Sequence, residues 1–306
     1  MEHKQVTMKT IAFFLAMSLA GLSRAQDSLL NMLEDSMSSD ISFPVKGTFK
    51  ALHLVNAYTI EQPAKKDLNF IIMHRFGALN EGAYTFFGID NAFIRLGLDY
   101  GITDRLAVGI GRTSLDKTFD GYFKYRLLNQ TSGKNAVPVS IGIMATITNY
   151  TLKYPAKPFL NAKFRTTYVT QLLIARKFTD AFSLQVTPTW LHFNMVPTRN
   201  DKNDVIAAMI GGRLKFTKRM SVSAEYNYLF PNQVNSFDGT NSLSIGFDIE
   251  TGGHVFQLVF SNSRSMIEPQ YITRTDGKWF DGDIFFGFNI SRNFTFDKNK
   301  IKDKKW

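Results

Sequence analysis

From Leu68 onward, apolar residues return at every second position, the period of an extended strand whose two faces meet different surroundings. The stretch Ala92–Tyr100 shows it most cleanly. Ala92, Ile94, Leu96, Leu98 and Tyr100 share one face, and Phe93, Arg95, Gly97 and Asp99 share the other. Gly101-Ile102-Thr103-Asp104 reads as a tight turn, after which Leu106, Val108 and Ile110 oppose Ala107, Gly109 and Gly111. The same pattern predicts twelve strands. They lie at about Leu68–Phe76, Ala92–Tyr100, from Leu106, Phe119–Leu128, Val137–Thr148, Phe164–Arg176, Phe182–Phe193, Val205–Phe216, Met220–Tyr228, Leu243–Ile249, His254–Ser261 and Asp283–Ser291. Charges set the phase. Turning Phe70 and Ile72 outward sends Arg75 inward, and the reverse would place Arg75 in hydrocarbon at a cost of about 2–4 kcal/mol near mid-membrane.

The connectors alternate in length. Short ones fall at 101–104, 129–136, 177–181, 217–219 and 250–253, and longer ones at 77–91, 112–118, 149–163, 194–204, 229–241 and 262–282. Outer-membrane barrels show this asymmetry, with short periplasmic turns and longer external loops, and an even strand number leaves both termini periplasmic. Tyr100, Tyr125, Phe182, Phe216, Phe247 and Phe256 fall toward the short-turn end of the apolar face. Tyr168, Trp190, Tyr226, Tyr228 and Phe260 fall toward the other end. Two aromatic belts suit two membrane interfaces. Strands of about ten residues, rising about 3.3 Å each and tilted by about 40°, cover the roughly 25 Å of such a membrane. The expected fold is all-β: a transmembrane antiparallel up-and-down barrel of about twelve strands over 67–296.

What precedes the barrel reads differently. Met8-Lys9-Thr10, the apolar run from Ile11 to Leu22 and Ser23-Arg24-Ala25 form a secretory signal over 1–25. Residues 26–66 then form a periplasmic N-terminal lead. Leu29, Leu30, Leu33 and Met37 have helical spacing, while 48–60 alternate too weakly to assign. No later run of apolar residues is long enough for a membrane helix. The absence of cysteine excludes disulfides and thiolate chemistry. The net charge is +10. Part of it sits in a basic tail, 297–306, where Lys298, Lys300, Lys302, Lys304 and Lys305 suit an anionic membrane surface or a solvated end. Export makes nucleic acid an unsuitable partner.

Twelve strands at that tilt enclose a backbone radius of about 12 Å, roughly half of it filled by side chains. The inward positions include Arg75, Arg95, Lys124, Arg126, Arg165 and Arg213, with Asp99, Glu225 and Asp248 opposing them. Lys215, Asp120, Glu250 and Asp283 extend the set on both sides of the charge balance. Two readings follow: a polar interior closed by ion pairs, or a narrow channel for small solutes constricted by the Arg and Lys groups without strong anion selectivity.

Enzymatic chemistry finds little support. His74 and His192 fall near the long-loop rim, where a lipid hydrolase would keep its site, but neither has a matched serine, and no GxSxG or HExxH motif occurs. Asp201, Asn203 and Asp204 place oxygen ligands together in one loop but lack the remainder of a calcium loop, so a solvated loop is expected there. No cofactor motif is present. A soluble periplasmic β-protein is the remaining alternative.

Three segments carry a resemblance: His74-Arg75-Phe76-Gly77, Ile94-Arg95-Leu96-Gly97-Leu98-Asp99-Tyr100-Gly101 and Lys124-Tyr125-Arg126-Leu127-Leu128. Together with the alternating remainder, from about Thr48 to Ser291, the chain resembles an outer-membrane β-barrel family of Bacteroidetes that bears only a domain-of-unknown-function name. The resemblance implies an outer-membrane barrel, in contact with membrane lipid and inserted by the barrel-assembly machinery. It supplies no substrate and no catalytic residue. The lysine-rich end departs from the terminal aromatic strand residue usual in such barrels, a part for which Phe294 and Phe296 are the candidates.

Overall fold

The twelve expected strands form, and each pairs antiparallel with the next until the last returns to the first. The computed structural model describes residues 42–251 and 253–297. The leader over 1–25, the helical spacing over 26–40 and the lysines from Lys298 lie outside them. The strands are β1 (Asp67–Ala78), β2 (Ala92–Gly101), β3 (Leu106–Thr113), β4 (Thr118–Leu128), β5 (Ser140–Tyr150), β6 (Thr166–Lys177), β7 (Phe182–Phe193), β8 (Asp204–Lys215), β9 (Met220–Leu229), β10 (Ser242–Glu250), β11 (His254–Ser261) and β12 (Phe285–Thr295). They make one closed barrel. The seam joins β12 to β1, with Phe285 opposite Ala78 and Thr295 opposite Asp67. Closure leaves the barrel wall itself without an edge strand to recruit another chain. Residues 42–43 and 133–136 form a separate small unit.

Local chemistry explains where the boundaries differ from expectation. β5 starts at Ser140, not Val137, because Pro138 has no N–H for the ladder. The Ser140 hydroxyl instead accepts the Gln130 amide at 2.8 Å. β12 starts at Phe285 and runs past Ser291 to Thr295, where Phe294 pairs with Leu68. Asp283 therefore lies in the preceding loop, where its carboxylate accepts the Lys278 amide and the Asn80 side chain. Pro188 sits inside β7, and the β6–β7 ladder passes from Gln171↔Thr189 to Ile174↔Val186 across it.

The outward face is apolar along every strand. Ile110 is 65% exposed, Ile206 54% and Ile210 53%. An unbroken ring of such residues has no counterpart on a soluble monomer. The inward face is polar and buried, with rows such as Ser183, Gln185, Thr187 and Thr189 on β7 and Ser221, Ser223, Glu225 and Asn227 on β9.

The lumen is filled by the protein's own chain. From the short-turn end, the stretch 45–63 runs inside, burying Phe49, Leu54, Tyr58 and Ile60 against Tyr122, Met144 and Leu173 of the wall. From the long-loop end, the connector between β11 and β12 turns inward with a short helix, α1 (Glu268–Thr273). Its Tyr271 and Ile272 pack on Val169, Leu191, Val205 and Ala207.

Candidate functional site

The stretch 45–63 is a hairpin whose limbs enter and leave at one end. Val45 donates its amide to the Gln130 carbonyl, and on the return Lys66 donates to Gly101 beside the β2–β3 turn. In between, His53 and Tyr58 pair as an antiparallel bridge, and the Leu54 amide bonds the Ala57 carbonyl to close the tip. The sequence assigns this stretch no element and counts it in the lead. The structure makes it part of the barrel body from Pro44 onward. Its weak alternation has a physical cause: its backbone finds partners in wall side chains, not in a neighbouring strand, so no two-residue period is imposed.

Those partners are the lumen residues. Glu225 accepts three amides at the tip, from Val55 at 3.1 Å, Asn56 at 2.9 Å and Ala57 at 3.0 Å. Arg75 holds the Asn56 side-chain oxygen at 2.7 Å and the Asn289 oxygen at 2.9 Å. Gln185 accepts the Ile60 amide and donates to the Tyr58 carbonyl. Gln257 and Asn289 donate to the carbonyls of Leu54 and Val55. Lys124 donates to the carbonyls of Thr59, at 2.6 Å, and Glu61. Arg126, half-buried, donates to Ile60 at 3.1 Å and pairs with Glu61 at 3.5 Å. Backbone groups taken from water need such partners, since each buried unpaired one costs about 1–3 kcal/mol.

The remaining candidates fall into three situations. Arg95 grips Asp120 of β4 through two nitrogens, and its Nη2 also donates to the Tyr58 hydroxyl at 3.2 Å. Asp99 accepts the Tyr122 hydroxyl at 2.7 Å and Asn69 at 3.0 Å. Near the short-turn end, Arg213 pairs with Glu250 and approaches Asp248, which in turn accepts the hydroxyls of Ser221 and Ser223. Arg165 lies away from the lumen. It precedes β6, donates to the carbonyls of Leu160 and Leu152, and stacks on Tyr150 at the end of β5 and on Tyr154 in the loop that follows. Ion pairing across the lumen is thus sparse, because several expected charges serve the hairpin.

The α1 connector was legible in sequence only as a long loop, though Met266, Ile267, Tyr271 and Ile272 are an apolar set that a solvated loop does not need. Glu268 on α1 is buried with one carboxylate oxygen unpartnered among the described residues. Burial, reinforced by the charge of Asp120, pushes its carboxyl up to about 7 against the opposing pull of its own amide and Arg95. Asp201, expected in a solvated loop, is instead a buried fastener. It accepts the Thr198 amide and hydroxyl and the amides of Asn235 and Ser236, joining the loops after β7 and β9. Burial alone raises its pKa, but those bonds outweigh it and hold the carboxyl below the usual range. Asn203 donates to the Phe193 carbonyl and Asp204 meets His192 at 2.9 Å, so the three residues do not converge on a cation.

His192 and His74 both lie on outward positions. His74 stacks on Phe288 at 5.0 Å. Neither ring has a serine or threonine hydroxyl bonded to it among the described residues.

The chain belongs to the family described as a membrane bound β-barrel domain (DUF5777), whose profile matches residues 49–294. That span begins inside the hairpin and ends in β12. No curated protein matches the chain. Among solved structures, the NanC porin is similar at a TM-score of 0.46 and 6% identity, over 74% of this chain and 98% of that one. The KdgM porin is similar at 0.43 and 9%, over 75% and 99%. An outer-membrane channel from Pseudomonas putida F1 is similar at 0.41 and 14%, over 76% and 97%.

Proposed function

We propose that this member of the membrane-bound barrel family is a small-solute pathway in the outer membrane of a Gram-negative cell, shut at rest by its own N-terminal hairpin. The observation that carries the reading is the grip of Glu225 on the three tip amides in mid-lumen. A wall carboxylate placed under three consecutive N–H groups shapes the lumen for that loop. The contacts around it are mostly hydrogen bonds, which water can replace when the hairpin withdraws. On this reading both termini are periplasmic, the hairpin enters from the periplasm, and the long loops with α1 face outward. The partners are membrane lipid, the assembly machinery during insertion and the solute itself. On this reading the barrel is a passive conduit, and among the described residues no histidine ring bonds a serine or threonine hydroxyl.

Planar-bilayer recording of refolded protein tests the reading. The full chain gives no steps. A variant lacking 46–62 gives steps of a narrow pore, and so does the full chain in a urea concentration that leaves the barrel's heat-modifiable gel shift intact. Steady conductance of the untreated full chain would overturn the shut state. Silence under both treatments would favour a permanently closed structural barrel, a reading with some support in the apolar seat of Phe49, Leu54 and Ile60.

A further inference from the structure

At the long-loop end, beside α1, a cavity of about 220 Å³ opens between the capping connector and the loops after β5 and β7. For scale, an engineered protein cavity of about 150 Å³ admits benzene. One side is aromatic. Tyr154, Phe159 and Phe164 line it, and all three keep more than a third of their surface exposed. Arg165 stacks on Tyr154, 5.9 Å from the ring centre, and its Nε and Nη1 donate to two loop carbonyls. The ring is therefore braced, not loose.

The other side is polar and fixed. Arg274 donates to Asp116 Oδ2 at 3.2 Å, so a donor and an acceptor stand side by side. Asp116 holds that place in a left-handed conformation, with φ 52° followed by φ 49° at Lys117, two strained residues in one turn. Backbone strain of this kind gathers at ligand sites. Gln270, on α1, sends its amide nitrogen to Asp116 and Thr118. A carboxylate accepts from the amide nitrogen and repels the amide oxygen, which fixes the orientation. Its carbonyl oxygen is left buried with no partner among the described residues. The residue is 5% exposed and lines the cavity.

We propose that this cavity is a binding site for a hexopyranose ring, free or at the end of a longer saccharide. An adjacent acid and guanidinium match two neighbouring hydroxyls, one donating and one accepting. The aromatic side takes the ring's C–H face, and Gln270 steadies Asp116 and Thr118 opposite it. A flat base or indole fits less well. The Tyr150–Tyr154 pair at the cavity is edge-on, at 86°, and forms no parallel slot. A zwitterionic amino acid would set its ammonium beside Arg274 and Lys157. The site rests on the proposed function only for the side from which ligand arrives.

Calorimetric titration of the full chain in detergent micelles tests it, with methyl glucoside, methyl galactoside and glucuronate as probes and adenosine and phenylalanine as controls. At least one saccharide binds, and neither control does. Tyr154→Ala and Phe159→Ala, both at exposed positions, weaken saccharide binding at least tenfold with the gel shift unchanged, and Gln270→Leu weakens it similarly. Failure of all three saccharides, equal binding of adenosine, or unaltered affinity in the two aromatic variants would overturn the site. Conductance plays no part in this readout, so the two proposals fail separately.

Discussion

Glu225, on the barrel wall, and Asn56, at the tip of the hairpin, meet in mid-lumen with the Asn56 amide 2.9 Å from Oε1. The second oxygen takes Val55 and Ala57, so one carboxylate satisfies the whole tip. Glu225→Gln keeps the shape but turns an N–H₂ toward groups that are themselves donors. Charge-assisted bonds of about 1.5–3 kcal/mol each are weakened or lost. The expected cost is about 3 kcal/mol of hairpin docking, a roughly hundredfold loss of hydrogen-exchange protection at 53–60. Strand amides should keep theirs. Unchanged exchange at the tip would show that Glu225 does not hold it.

Gly211, inward on β8, gives an independent handle on the hairpin. A Cβ there would lie 2.3 Å from Leu54 Cδ2 and 3.0 Å from the Ala224 carbonyl. Gly211→Ala should loosen the hairpin by about 1–3 kcal/mol through overpacking. Leu54→Ala should remove most of that cost, so the double variant is more stable than the sum of the singles implies. Additive effects in urea titrations monitored by tip exchange would mean that the two residues do not touch.

The cap at the other end should respond to pH. The folded carboxyl of Glu268 titrates near 7, above an unfolded value near 4.5. Between these values the docked cap holds a proton that the undocked form has lost, so docking is strongest at acid pH and weakens as pH rises through 7. The span corresponds to about 3 kcal/mol at most. Exchange at 266–273, corrected for its intrinsic pH dependence, should therefore be faster at pH 8 than at pH 5.5, and Glu268→Gln should flatten the difference. A cap that tightens with rising pH would reverse the assignment.

The strands were legible in the sequence because each wall residue meets either hydrocarbon or a polar interior, and that contrast repeats every two residues. Arg95, Lys124 and Glu225 could be placed inward from their neighbours alone. Their partners could not. Lys124 binds carbonyls of Thr59 and Glu61, and a carbonyl has no sequence signature. The hairpin was hidden for the same reason: Val55, Asn56 and Ala57 are bound through their amides, which every residue but proline offers. A sharper reading of Glu225 would have helped. Its β9 neighbours on the same face are Ser223 and Asn227, and a lone inward carboxylate among neutral residues needs a donor set from elsewhere. Arg165 was misplaced by one residue of strand boundary, since β6 begins at Thr166 and the guanidinium turns to loop carbonyls instead.

The outward face yields the last prediction. Ile210 stands mid-strand on β8, 53% exposed, between Val186 of β7 and Tyr226 of β9 in register, and its inward neighbours Met209 and Gly211 point the other way. If that face meets hydrocarbon, Ile210→Arg should cost about 2–4 kcal/mol of folding stability in lipid, because no snorkelling path from the strand centre reaches water without strain. The same change at Phe216, past the end of β8 and 54% exposed, should cost no more than about 1 kcal/mol, because the interface hydrates the guanidinium. Both sites are equally exposed, so a water-soluble barrel would tolerate arginine equally at each. Folding titrations into phospholipid vesicles separate the cases. A depth-dependent penalty requires a membrane around the barrel, and equal, small penalties at both positions would remove it.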